Sequence, residues 1–123
     1  MITAGAPVII GGGLAGLITA IYLAPEPVYV LSKAPLGVEA SSAWAQGGIA
    51  ASLGSDDSPD LHLTDTLVAG DGLCEHGIAS RIVEGAASAI QRLARLGVRF
   101  DREPDGALCL GLEAAHSRWR TVH

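Results

Sequence analysis

Positive charge is scarce in this chain. Lys33 is its only lysine, and 8 basic residues stand against 13 acidic ones, for a formal net charge of −5. No stretch is rich in lysine or arginine, which excludes the electrostatic footprint of a nucleic-acid binder or of a protein that docks on an anionic membrane. The acidic balance is a solubility charge and identifies no partner. Cysteine is nearly absent too. Cys74 and Cys109 lie far apart and match no metal-ligand spacing. The expected state is two free thiols in a reducing cytoplasm. Nor is there a long unbroken apolar run. The stretch from Val8 to Leu23 is interrupted by four glycines, with no basic region before it and no small-residue cleavage site after it. That pattern is a strand and a helix, not a signal peptide or a membrane span.

What is present is a glycine-rich globular composition. Hydrophobic residues make up 49% and charged residues 17% of 123 positions, with 16 glycines and 6 prolines. This is an α/β balance at a length that can bury one small core.

The periodicities give an order of elements. Pro7-Val8-Ile9-Ile10 is a short β-branched run, expected to be a buried parallel strand. Gly11 to Gly16 turns into a helix over Leu14 to Leu23, which Pro25 and Pro27 end. Val28 to Leu31 is a second strand, so the unit is βαβ and its strands must be parallel. Further on, Ser55 to Pro59 is the expected exposed loop, and Asp60 is placed to cap a short helix over Leu61 to Leu67. Ala69-Gly70-Asp71-Gly72 breaks that helix. An amphipathic helix follows, with Ile78, Ile82, Val83, Ala86, Ile90, Leu93 and Ala94 on one face and Gly97 past its end. Val98-Arg99-Phe100 and Ala107 to Leu110 flank Asp105-Gly106 as a hairpin. The segment from Glu113 to His123 is rich in reactive side chains but leads into no further element. Two secure parallel strands make an incomplete Rossmann-like sheet, expected of part of a larger α/β protein.

Two tracts carry chemistry. Gly11-Gly12-Gly13-Leu14-Ala15-Gly16 fits G-x-G-x-x-G in the strand–turn–helix context that gives the motif its meaning. Gly11 permits the tight turn, Gly13 lets a pyrophosphate approach the backbone, and Gly16 lets the helix sit close, its N-terminal N–H groups facing the phosphates. The acidic ribose ligand expected about 20 residues on is replaced by Ser32, followed by Lys33. Serine binds a hydroxyl more weakly than a carboxylate does. Lys33 either reaches a phosphate or ribose or is a solvated strand-end lysine. The second tract is Ser41-Ser42-Ala43-Trp44-Ala45-Gln46-Gly47-Gly48-Ile49-Ala50-Ala51. Its small residues, paired glycines and two hydroxyls expose backbone N–H groups with few side chains in the way, which suits a flat, anionic cofactor.

Together with Val30-Leu31-Ser32-Lys33 and Glu113-Ala114-Ala115-His116-Ser117-Arg118, these tracts resemble the L-aspartate oxidase family, within the succinate dehydrogenase and fumarate reductase flavoprotein superfamily. The resemblance runs the length of the chain in order, and serine in place of the acidic ribose ligand is common there. It implies that residues 1–123 are the N-terminal part of a single FAD-binding domain, with the capping domain and remaining strands absent. It implies non-covalent FAD, because Ser41 stands where covalent members carry the flavin-linking histidine, six residues before Gly47. Gly11 to Gly16, Ser32 and Lys33 are then expected on the ADP side, and Ser41 to Gly48 along the pyrophosphate and flavin, with Trp44 a packing residue that shapes the flavin site. The substrate implied is L-aspartate, oxidised to iminoaspartate with O2 or fumarate as final acceptor, the imine feeding quinolinate synthase in NAD biosynthesis.

Glu113, from the family's E-x-x-H-S motif, is expected to orient the substrate. Aspartate and succinate differ by an ammonium group, which a carboxylate near the α-carbon attracts. His116 is expected to be a helix-start or packing histidine. Arg118 and Arg120 either hold a substrate carboxylate or are surface charges. The arginine expected to move the proton lies outside the chain, so the 123 residues alone are expected to be inactive and to bind FAD weakly or not at all. The competing readings are a succinate dehydrogenase or fumarate reductase flavoprotein and a non-catalytic nucleotide-binding module.

Overall fold

The computed structural model describes residues 5–45 and 47–123. The chain divides into two compact units, Met1–Gln46 and Gly47–His123.

In the first unit, strand β1 (Val8–Ile10), helix α1 (Leu14–Leu23) and strand β2 (Tyr29–Leu31) follow one another as the sequence pattern requires. β1 and β2 pair in parallel with Ile9 opposite Val30, and the Gly11 N–H continues the ladder by donating to the Leu31 carbonyl at 2.9 Å. Strand β1 is not buried, contrary to expectation: Val8 is 55% and Ile10 86% exposed. Among the described residues β1 has one partner strand and one covering helix, so a run patterned for burial on both faces is covered on only part of its surface. A 3-10 helical turn at Ser41–Ala43 closes the described part of this unit.

The second unit holds strand β3 (Ile49–Ala50), helices α2 (Pro59–Ala69) and α3 (His76–Arg95), and strand β4 (Thr121–Val122). Helix α2 starts earlier than expected. Its cap is Ser58, whose hydroxyl accepts from the Leu61 N–H at 3.2 Å, and Asp60 sits in the first turn. Pro59 at the first helical position explains the choice, since its fixed φ suits that site and it has no N–H to leave unpaired. Glu75 caps α3 through both carboxylate oxygens, bonded to the Gly77 and Ile78 N–H groups. At the other end the Val98 N–H reaches the Leu93 carbonyl and the Gly97 N–H the Ala94 carbonyl, with Gly97 at φ +99°. This is the Schellman closure that a C′ glycine permits.

The inner face of α3 is narrower than its sequence stripe. Ala79, Val83 and Ile90 are buried, whereas Ile78 and Ile82 are exposed. The expected hairpin forms a tight turn, with Gly106 at φ +89° and one antiparallel bridge, Arg102 to Leu108, in place of two full strands. The end of the chain does lead into an element. Ile49 of β3 pairs with Val122 of β4, the Gly111 N–H donates to the Thr121 carbonyl at 2.7 Å, and the Asp101 N–H to the His123 carbonyl at 2.9 Å. Val122 joins Ala51 and Ile90 in the core, against which Phe100, Leu108 and Leu110 pack. Both cysteines are free. Among the described residues no helix is long and apolar enough to cross a membrane.

Candidate functional site

In the first unit the glycine tract folds into the space between β1 and α1. Gly11 has φ +113°, a conformation that side-chain-bearing residues rarely adopt, and a Cβ added there would meet no atom within 4 Å. A Cβ on Gly16 would collide with the Gly11 carbonyl oxygen, so this glycine is what lets the helix close on the turn. On Gly12 it would come within 3.0 Å of Ser32 Oγ and of Leu36, and on Gly13 within 3.4 Å of Ser42 Oγ.

Around this turn lies an open cavity of about 460 Å³. Gly11, Gly12 and Gly13 form one wall, Ser32 and Lys33 another, and Ser41 and Ser42 a third. Gly13, the N-cap of α1, has no side chain to offer the helix, and Ser42 Oγ fills that place by accepting from the Leu14 N–H at 3.0 Å. The remaining free N–H groups and the helix dipole put partial positive charge at the cavity wall. Lys33 adds a full one, held loosely at 3.6 Å from Glu39 with both side chains well exposed. An exposed pair of this kind is worth little and can exchange partners.

The cavity thus brings together Gly11, Gly12, Gly13, Ser32, Lys33, Ser41 and Ser42 from the expected residues. Leu14, Ala15 and Gly16 lie on α1 beside it, outside its lining, as do Ala43, Trp44 and Ala45. Trp44 is 79% exposed and not the packing residue expected. The small residues on both sides of it give the indole no core to enter. Gln46 lies outside the described residues. Gly47 and Gly48 belong to the second unit, where Gly48 is pressed against the Thr121 side chain and the Val122 carbonyl, so that no Cβ could fit. The open glycine backbone, the helix start and the hydroxyl at the end of β2 fit the pyrophosphate and ribose of a dinucleotide such as FAD.

In the second unit Glu113 is exposed, its carboxylate 3.7 Å from His123 Nε2. It opens a turn in which the His116 N–H donates to the Glu113 carbonyl at 3.2 Å. His116 is a packing residue, as expected, meeting the His62 ring edge to face at 5.5 Å. The two arginines differ. Arg118 is partly exposed and paired with Asp56 at 3.6 Å. Arg120 is fully buried, donating from Nε and Nη2 to the two carboxylate oxygens of Asp57 at 2.9 Å each, with Nη1 3.0 Å from Asp65. Arg120 is therefore a buried charge and not a surface one. The loop expected to be exposed accordingly contains a buried carboxylate, Asp57.

Asp65 and His62 went unread in the sequence. Ser117 donates both its N–H and its hydroxyl to Asp65 at 2.8 Å each. The backbone bond, with the hydroxyl and Arg120 adding to it, holds the Asp65 carboxyl below its ordinary value. Burial lowers the His62 pKa, helped by the charge of Arg120. The one available signal was their i, i+3 spacing on α2, which puts them on the same helix face.

Comparison with known proteins agrees with the cavity. The FAD binding domain family matches residues 7–123. L-aspartate oxidase of Mesorhizobium japonicum is 66% identical over 119 residues, 97% of this chain and 23% of the relative. The enzyme of the same name from Agrobacterium fabrum is 57% identical over 116 residues, 94% and 22% of the two chains. This chain thus spans less than a quarter of the length of these relatives. Among solved structures, Mycobacterium smegmatis Sdh1 in complex with UQ1 superposes with a TM-score of 0.88 at 30% identity, over 96% of this chain and 20% of that one. E. coli quinol fumarate reductase FrdA, as a point variant, gives 0.87 at 29%, over 95% and 20%. With a glycine turn shaped for a pyrophosphate and a family match over nearly all its residues, the chain belongs to the FAD binding domain family.

Proposed function

We propose that this chain is the N-terminal, FAD-binding portion of a cytoplasmic L-aspartate oxidase. The observation that carries the reading is the 66% identity to L-aspartate oxidase along 97% of the chain. It is supported by the glycine cradle in the first unit.

In this reading the free N–H groups at the start of α1 and the bare backbone of Gly11 to Gly13 hold the pyrophosphate. Ser32 hydrogen-bonds the ribose, Lys33 leaves Glu39 for a phosphate, and Ser41 and Ser42 line the same cavity on the cofactor's path toward the flavin. The bound FAD supplies the two-electron acceptor for the C–H bond at the substrate α-carbon. Glu113 attracts the substrate ammonium and so helps to orient the substrate. Succinate lacks that ammonium, so Glu113 selects the amino acid. O2 or fumarate is the final acceptor, and the imine product suits a consumer such as quinolinate synthase.

The full-length gene product loaded with FAD tests this. Peroxide is expected from L-aspartate in air and not from succinate, and Glu113→Gln is expected to raise KM for L-aspartate. Oxidation of succinate in preference to L-aspartate would support the second reading, a fumarate reductase-type flavoprotein, which the solved neighbours favour. Ser41, in the place of a flavin-linking histidine, weighs against the covalent members of that branch.

A further inference from the structure

We propose that Asp65 is a positioning residue for the reaction: it locks the turn from Glu113 to Ser117 and so sets where the Glu113 carboxylate points. This rests on the role proposed for Glu113.

Three observations carry it. First, one oxygen of Asp65 accepts both donors of Ser117, the N–H and the hydroxyl, at 2.8 Å each. The same oxygen lies 3.0 Å from Arg120 Nη1, and Arg120 is clamped on its other edge by the buried Asp57. The anchor is therefore fixed from behind. Second, His62, three residues before Asp65 on α2, meets the ring of His116. One helix face thus grips two consecutive residues of the loop. Third, the turn between this grip and Glu113 is strained. Ala115 has φ +68° at the third position of the turn closed by the His116 N–H and the Glu113 carbonyl. That position favours glycine, and an alanine held there persists only where its surroundings over-determine it.

Glu113 has no such support of its own. Its side chain is exposed, with His123 as its only ion-pair partner among the described residues, at 3.7 Å. Its direction follows from the turn, and the turn is held at its far end by α2. The Ser117 N–H holds Asp65 below the ordinary carboxylate range, so the grip stays ionised at any pH near neutrality.

The test is a double-mutant cycle in the full-length, FAD-loaded gene product, comparing Asp65→Ala, Glu113→Gln and the pair. The readouts are KM and kcat for L-aspartate, the inhibition constant of succinate and the FAD content. Asp65→Ala is expected to raise KM about tenfold, the size of one lost charge-assisted contact. The inhibition constant of succinate, which has no ammonium to place, and the FAD content should stay unchanged. In the Glu113→Gln background the same substitution should add nothing. Additive effects, an equal loss of succinate binding or an unchanged KM would each overturn the proposal.

If Asp65→Ala loses FAD, Ser117→Ala, which removes only the hydroxyl half of the grip, should show the same pattern at smaller size. No rise in KM there also overturns it. Failure of the Glu113 reading shows in a different arm, as a Glu113→Gln enzyme with unaltered KM, or as no oxidation of L-aspartate by the parent.

Discussion

Arg120 lies edge-on to Asp57, with Nε and Nη2 each 2.9 Å from a separate carboxylate oxygen and both side chains wholly out of water. The two residues are 63 positions apart, so this pair ties the loop before α2 to the segment that leads into β4. Removing Arg120 leaves the buried Asp57 without its cation, which costs about 3–5 kcal/mol, and removing Asp57 leaves the buried Arg120 with Asp65 alone. Asp57→Ala and Arg120→Met are each expected to lower the urea midpoint steeply. The combined apolar replacement Asp57→Leu with Arg120→Met should recover much of the loss. Denaturation followed by circular dichroism checks it, and a double variant no better than the singles would refute the assignment.

Two glycines of the cradle should separate fold from ligand. At Gly16 a Cβ runs into the Gly11 carbonyl, so Gly16→Ala should destabilise the first unit by roughly 1–3 kcal/mol, as overpacking does. At Gly13 φ is −82° and the nearest atom to a Cβ is 3.4 Å away, so Gly13→Ala should fold normally. Its methyl group would stand where the pyrophosphate approaches, and FAD affinity should fall about tenfold or more, at least 1.4 kcal/mol. Equilibrium dialysis with FAD on the full-length gene product reads the second effect, and thermal unfolding reads the first.

Stability should fall with acid in two windows. The pKa of His62 is lowered from 6.5, first by burial and then by Arg120 and His116, so the unfolded chain takes its proton first. Stability is full above 6.5 and declines as pH falls toward the folded value. The Asp65 carboxyl is lowered from 3.8, chiefly by the Ser117 N–H. Its contribution is full above 3.8 and is lost as pH falls through the folded value. A urea midpoint measured against pH should bend at both places, and His62→Gln should remove only the upper bend. A midpoint that rises on acidification just below 6.5 would contradict this direction.

Much of the first unit was legible because its signals are local. The helix Leu14–Leu23 stands where glycines and prolines bracket it, and the Gly11 and Gly16 roles follow from steric needs a few residues apart. The end of α3 was legible for the same reason, since only a residue free to adopt positive φ closes a helix as Gly97 does. The start of α2 was not, because Ser58, Asp60 and Pro59 all carry helix-start meaning and proline decided among them. The grip of α2 on the Glu113 loop was hidden for a different reason. Asp65 and Ser117 are 52 positions apart, and no periodicity joins a carboxylate to a serine that far along the chain. The exposed strand β1 shows the reverse error: its pattern declares burial, but the described residues cover only part of it.

Reduction of the bound flavin by L-aspartate is the reaction that the proposed function requires. The full-length gene product, loaded with FAD and held without oxygen, should lose its visible flavin absorbance on addition of L-aspartate and keep it on addition of succinate. A protein that binds no FAD, or whose flavin is bleached by neither compound, would contradict it.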